Sequence, residues 1–218
     1  MENKIKILNL YACLGGNRYK WDEVADIEVT AVEYDYDIAM AYKQRFPNDI
    51  VIVNDAHQYL LEHYKEFDFI WSSPPCPSHS KIRITQKTRD NFKPLYPDMK
   101  LYEEIIFLEN YFDGKYCVEN VIPFYEPLIS AKKRGRHLYW TNFNLPNNLN
   151  ERKLDGSLCT MIDEHKKLEV FHDLKISSNL GGYRDVLRNL VDYEAGKTIL
   201  ETALGIISSS KSKQTTLF

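Results

Sequence analysis

No stretch of this sequence is apolar for long enough to cross a bilayer, so a membrane-spanning protein is not expected. Its first residues, Met1-Glu2-Asn3-Lys4, lead straight into an apolar segment, and no secretory signal is expected either. Cysteine is scarce. Cys13, Cys76, Cys117 and Cys159 lie far apart, which argues against the close pairs of a metal site and against a disulfide framework. A reducing, cytoplasmic compartment and no metal are the expectations. A surplus of one charge is missing too. The 28 Lys and Arg against 31 Asp and Glu leave a net charge of −3, which excludes a protein that coats nucleic acid by bulk positive charge. There is no internal repeat and no full Gly-x-Gly-x-x-Gly loop, which counts against a solenoid and a NAD site.

What is present is an alternation of apolar runs and helical stretches. The 218 residues suit one domain with an appended segment. Strands are expected at Ile5–Ala12, Glu28–Glu33, Ile50–Asn54, Phe67–Trp71 and Lys115–Val118. Helices are expected near Lys20–Ala25 and at Asp37–Phe46, His57–Glu66 and Asp98–Phe112, the last with Leu101, Ile105, Ile106 and Leu108 as its apolar positions. This rhythm predicts an α/β fold, Rossmann-like, with a mostly parallel sheet and helices on both faces. Residues 77–98 read as a long mobile loop. Residues 1–143 form the main domain, 144–186 a small recognition segment, 187–207 a helix returning to the domain and 208–218 a flexible tail. The helical pattern begins near residue 184, with Leu187, Leu190, Val191, Ile199, Leu200, Ala203 and Leu204 as the buried set.

Positive charge gathers in two places. Lys81, Arg83, Lys87, Arg89, Lys93 and Lys100 face only Asp90 and Asp98 over residues 81–100, and Lys132, Lys133, Arg134 and Arg136 form a second cluster. Either is enough to hold phosphates, although a solvated loop gives the same pattern.

The chemistry centres on Asp68-Phe69-Ile70-Trp71-Ser72-Ser73-Pro74-Pro75-Cys76. A buried strand here ends in a Pro-Pro-Cys turn. The prolines fix φ and remove backbone donors, so the turn is stiff and holds the Cys76 thiol where a sheet ends. A lone cysteine is usually a small hydrophobe, but three features accompany this one in order. Tyr11-Ala12-Cys13-Leu14-Gly15-Gly16 follows the first strand, Val118-Glu119-Asn120-Val121 ends a later one, and Lys133-Arg134-Gly135-Arg136 opens a further apolar run.

In this order the set resembles the DNA (cytosine-5)-methyltransferase family, in a short bacterial or phage form with a reduced recognition region. The family shows an aromatic-Ala-Gly-x-Gly-Gly loop, a Pro-Cys nucleophile, a Glu-Asn-Val motif and a Gln-x-Arg-x-Arg motif, and the match covers roughly residues 5–143. This sequence departs from the pattern with Cys13 at the first glycine and Lys132 at the Gln. A Gly-Asn-Ser-Val-type helix completing the cofactor site is not legible at the C-terminus.

The resemblance implies the class I fold and S-adenosylmethionine as cofactor. It places Tyr11, Leu14, Gly15, Gly16, Glu33, Tyr34, Asp55, Ser73 and Pro74 at the cofactor. Glu33 would accept both ribose hydroxyls, Asp55 the adenine amino group, and Tyr34 would lie beside the adenine. The implied substrate is a cytosine flipped out of double-stranded DNA. Cys76 would attack carbon 6, Glu119 would donate to ring nitrogen 3, and Asn120 would brace the Pro-Cys turn or Glu119. A free thiol with a pKa of about 8.5 is only about 3% thiolate at pH 7, and Arg134 and Arg136 are the candidates to raise that fraction.

DNA contacts are expected from Ser78, Ser80, Lys81, Arg83, Lys87 and Arg89 in the loop, which would act as a lid. Weaker candidates are Arg184 and Arg188 in the recognition region, which suits a target of about four base pairs or fewer. His79 reads as solvated or phosphate-facing. The ending Gln214-Thr215-Thr216-Leu217-Phe218 resembles the peptide with which bacterial proteins bind the sliding clamp, through Gln214, Leu217 and Phe218. An RNA cytosine methyltransferase, a non-catalytic DNA- or clamp-binding module, and an enzyme completed by a second subunit remain open on sequence alone.

Overall fold

The computed structural model describes residues 4–153, 164–174 and 183–206. Seven strands form one sheet: β1 Ile5–Leu10, β2 Ile27–Glu33, β3 Ile50–Val53, β4 Phe69–Ser72, β5 Lys115–Val121, β6 Lys132–Arg134 and β7 His137–Thr141. Their order is β3-β2-β1-β4-β5-β7-β6. The first five run parallel, and β7 is antiparallel to both neighbours. The chain therefore has the expected Rossmann-like α/β fold. Its strand order reverses between β1 and β4, the place where such sheets open a crevice at their carboxyl ends.

The central strands are apolar on both faces because both are covered. Ile7, Phe69, Trp71 and Cys117 point to one side, where Trp21, Ile199 and Leu200 meet them. Leu8, Leu10, Ile70 and Val118 point to the other, against Leu60, Leu101, Ile105 and Leu108. Each such side chain, fully buried, contributes about 1.5–3 kcal/mol. The helices are α1 Tyr36–Arg45, α2 Ala56–His63, α3 Lys81–Thr85, α4 Lys100–Tyr111, α5 Glu164–Phe171, α6 Tyr183–Arg188 and α7 Tyr193–Ala203.

Several expectations need correction. The stretch near Lys20–Ala25 is a single 3-10 turn, Trp21–Glu23. The expected loop 77–98 contains α3, capped by the Ser80 hydroxyl accepting from the Ile82 N–H. The C-terminal helical stretch is two helices, because Asp192 accepts from the Glu194 N–H and starts α7 afresh. On α4, Ile106 is 54% exposed while Glu104 is wholly buried. At the start of the segment expected over 144–186, Leu145 and Leu149 sit in the core beside α7. The central part of the recognition segment and the tail from residue 207 lie outside the described residues.

Candidate active site

The thiol turn leaves the sheet at the carboxyl end of β4. Ser72 there pairs in register with Val118 of β5, so Glu119 and Asn120 continue alongside the turn. Asn120 Nδ2 donates to the Pro74 carbonyl at 2.9 Å. Ser73 Oγ donates to Glu119 Oε2 at 2.9 Å and accepts from Trp71 Nε1 at 2.8 Å. Glu119 is buried, and His137 Nε2 lies 3.6 Å from its other oxygen. Thiol strand and carboxyl strand are thus joined by two hydrogen bonds. The Ser73 hydroxyl, expected at the cofactor, is spent on Trp71 and Glu119. Burial first, and the Glu119 carboxylate second, push the Cys76 thiol above its ordinary value.

The arginines do not counter that shift. Arg134 donates to the carbonyls of Pro146 at 2.5 Å, Leu145 at 3.1 Å and Lys133 at 2.8 Å, and to Asn147 Oδ1 at 3.3 Å. It fastens the segment after β7 to the β6–β7 hairpin. Arg136 is exposed beyond Gly135, which turns that hairpin at φ +51°. The expected pairing of Arg134 and Arg136 with the thiol is therefore replaced by a scaffolding role for Arg134 and an exposed position for Arg136. Lys132, at the place of the expected Gln, donates to Thr141 Oγ1 at 2.9 Å and to the Phe143 carbonyl.

The loop after β1 is tightly wound. Tyr11, Cys13 and Gly15 have φ of +55°, +48° and +67°. Left-handed backbone at a non-glycine costs on the order of 1 kcal/mol or more, so Cys13 bears strain that a glycine would not. Glu33 secures it: its carboxylate accepts from the N–H groups of Cys13 at 2.9 Å and Asp35 at 3.1 Å. Tyr34 beside it is 79% exposed. Asp55 caps α2 through the N–H groups of His57 and Gln58, and Lys100 lies 3.3 Å from its second oxygen. Burial would raise the Asp55 carboxyl, but these donors outweigh it and hold it below the usual value.

Two of the expected cofactor residues face inward. Leu14 is buried against Leu168, Val186, Leu187 and Leu190. The Tyr11 phenol donates to buried Glu104.

The helix expected to return to the domain does so as α7, packed on the loop after β1. A Cβ on Gly196 of α7 would lie 2.1 Å from the Asn17 carbonyl oxygen, and one on Gly16 would lie 2.5 Å from that of Val191. Two glycines thus let α7 and the loop touch backbone to backbone. Trp21 Nε1 donates to the Gly196 carbonyl at 3.1 Å and fixes the contact. Ala195-Gly196-Lys197-Thr198 lacks the expected Asn-Ser-Val, yet its helix closes that side of the loop.

The expected DNA-contact residues divide. Lys81, Lys87 and Arg89 are exposed. Arg83 is half-buried and donates to the Lys93 carbonyl at 2.7 Å. Ser78 is buried and its hydroxyl accepts from the Asp98 N–H, while the Ser80 hydroxyl accepts from the Ile82 N–H as the α3 cap. Arg188 is bidentate to Glu164 at 2.6 and 2.9 Å and ties α6 to α5. The Arg184 side chain lies outside the described residues. His79, expected in solvent, is buried with Nδ1 2.6 Å from the Tyr125 hydroxyl, and burial holds its imidazole below its usual value. A cleft of about 610 Å³ opens between Lys81, Ile122, Phe124, Tyr125 and Leu138. Cys76 does not line it, so it adjoins the thiol turn rather than containing it.

Sequence reasoning missed Glu104, His57 and His137. Glu104 sat in a helix read only for its apolar stripe. The signal for His137 was its place right after the Arg-Gly-Arg turn, where β7 returns along β5.

Among the described residues, no group of three or more His, Cys, Asp or Glu could hold a metal ion, and no helix is long and apolar enough to cross a membrane.

Residues 5–110 match the family model described as C-5 cytosine-specific DNA methylase. That span holds Cys76, Glu33 and Asp55, whereas Glu119, Asn120, Arg134 and Arg136 lie beyond it. The Type II methyltransferase M.Bsp6I of Bacillus sp. (strain RFL6) is 29% identical over 113 residues, 49% of this chain and 36% of that protein. The chain thus spans little more than a third of the length of this curated relative. Among solved structures, a DNMT2 mutant from Spodoptera frugiperda is 26% identical, covering 54% of this chain and 36% of the other, with a TM-score of 0.38. A SAM-dependent methyltransferase from Agrobacterium tumefaciens is 15% identical, covering 57% and 41%, with a TM-score of 0.40.

Proposed function

We propose that this chain, whose residues 5–110 match the C-5 cytosine-specific DNA methylase model, transfers a methyl group from S-adenosylmethionine to carbon 5 of a cytosine in DNA. The observation that carries this reading is the joining of thiol and carboxyl. Asn120 holds the Pro74 carbonyl and Ser73 holds Glu119, so Cys76 and Glu119 are presented together at the ends of β4 and β5.

The residues around the β1 loop fit the cofactor. The loop lies at the switch point, each Glu33 oxygen accepts one N–H bond there and keeps a lone pair, and the Tyr34 ring is open to stack on an adenine. When bound, the cofactor supplies an electrophilic methyl group. The Cys76 sulfur forms a bond to carbon 6 of the ring while Glu119 shares a proton at nitrogen 3, which turns carbon 5 into an enamine-like nucleophile. Carbon 5 would then take that methyl group, which S-adenosylmethionine would give up without its bonding electrons. Water then removes the carbon 5 proton, the C5–C6 double bond re-forms and the Cys76 thiolate leaves. Because the free thiol sits above its ordinary pKa, Glu119 must pass from repelling the thiolate to bonding the base as substrate enters.

Lys81, Lys87 and Arg89 on and after α3 suit the phosphates flanking a flipped base. A target of about four base pairs or fewer follows from the small recognition segment. Gln214, Leu217 and Phe218 fit a sliding clamp, which would hold a weak binder on DNA. The protein then works in the cytoplasm, at DNA. Deleting residues 214–218 should abolish retention on an immobilised clamp and leave methyl transfer to short duplexes intact.

The test of the main reading is label transfer from methyl-labelled S-adenosylmethionine to duplex DNA or RNA, followed by digestion. Label in 5-methyldeoxycytidine is expected. Label in RNA alone would redirect the reading to an RNA cytosine substrate, and cofactor binding with no transfer to either would reject it.

A further inference from the structure

The carboxylate of Glu104 takes part in no step above, yet three side chains far apart in the sequence meet it in the core. It is 0% exposed on the sheet-facing side of α4. Its Oε1 accepts from the Tyr11 phenol at 2.6 Å and lies 3.0 Å from His57 Nδ1, and its Oε2 accepts from the Ser72 hydroxyl at 2.5 Å. Removing a carboxylate from water is costly unless its oxygens are well bonded, and an apolar side chain of similar volume usually serves core stability as well or better. An apolar side chain cannot hold two hydroxyls at once.

Those hydroxyls sit where the chain leaves the sheet on either side of the switch point. Leu10 and Ser72 are register partners on neighbouring parallel strands. Tyr11 begins the wound loop after β1, and Ser72 ends the strand that carries the Pro-Pro-Cys turn. From Ser72 the next residue, Ser73, reaches Glu119. One buried carboxylate therefore grips the base of both loops.

We infer that Glu104 is a positioning residue that couples the cofactor loop to the thiol turn, so that the placement of each depends on the other. The inference rests on the methyltransferase reading for the identity of the cofactor, but the coupling is a property of this chain alone. Tyr11→Phe removes one hydroxyl on the cofactor side, Ser72→Ala one on the thiol side, and Glu104→Gln keeps the volume while losing the charge.

The full-length protein is compared with these variants in two assays. One is the affinity for S-adenosylhomocysteine by calorimetry. The other is the rate at which iodoacetamide alkylates Cys76 without cofactor, followed on the Cys76 peptide by mass spectrometry. Coupling requires crossed effects. Tyr11→Phe should change Cys76 alkylation at least threefold, Ser72→Ala should weaken S-adenosylhomocysteine at least threefold, and Glu104→Gln should do both. Adding either hydroxyl deletion to Glu104→Gln should then change little more. Effects confined to the side mutated, or a lower melting temperature with both readouts within twofold, would make Glu104 a structural brace and overturn the inference. A wild-type protein that binds no S-adenosylhomocysteine would remove the methyltransferase reading instead, and the alkylation rates would still decide the coupling.

Discussion

Residue by residue, the site is a matter of which polar groups face each other in the crevice. Cys76 stood out in the sequence because its Pro-Pro-Cys turn comes in order with the loop after the first strand, Glu119-Asn120-Val121 and Arg134-Gly135-Arg136. Its environment was not legible. Arg134 and Arg136 were the expected cations beside it, but Arg134 turns to the carbonyls of residues 145 and 146, and Glu119 is the charge that acts on the sulfur. Glu104 was hidden for a different reason: its spacing from Leu101, Ile105 and Leu108 puts it on the buried face, but a Glu is read as solvent-facing by its type, and only the tertiary partners Tyr11, Ser72 and His57 explain its burial. The Glu104 bond, partly opposed by burial, raises His57 above its usual 6.5. A histidine raised on folding adds stability that is complete below the unfolded value and is lost as pH climbs through the higher folded value. Chemical denaturation from pH 5 to 9 should therefore show wild-type stability falling across the neutral range. Glu104→Gln should flatten that part of the profile, whereas parallel profiles would mean the bond to His57 is unimportant.

Among the elements, the parallel strands were readable because burial on both faces leaves near-continuous apolar runs, as in Ile5–Leu10 and Phe69–Ser72. The C-terminal helices were readable as one stretch but not as two. Apolar spacing runs on through Leu190 and Val191, and only the cap at Asp192 separates α6 from α7. The fit of α7 against the loop after β1 depends on Gly196, which in an isolated helix would be a defect. Gly196→Ala gives back about 1 kcal/mol of helix propensity. It also pushes a methyl group to 2.1 Å from the rigid Asn17 backbone. Overpacking of that kind costs about 1–3 kcal/mol. The clash should win, lowering Tm by about 2–8 °C and weakening S-adenosylhomocysteine binding in parallel. A variant as stable as wild type in thermal denaturation would show that the contact is looser than drawn here.

The whole molecule joins these parts through one topological fact: the strand order reverses between β1 and β4. That reversal sets the loop wound against Glu33 and α7 beside the turn that carries Cys76, and the next parallel strand brings Glu119. Basic side chains on and after α3 face outward next to this crevice. The α/β rhythm announced the sheet, but the closure of the crevice by the chain's own C-terminal helix arose from contacts some 180 residues apart in the sequence, between Asn17 and Gly196. The proposed nucleophile of the methyl transfer is Cys76. DNA duplexes carrying 5-fluorocytosine in varied short contexts, incubated with the protein and S-adenosylmethionine, test it directly, since fluorine at carbon 5 blocks the final elimination. A protein–DNA adduct resistant to denaturation is expected with wild type and absent with Cys76→Ser. An adduct that survives Cys76→Ser, or no adduct from a protein that binds the cofactor, would contradict it.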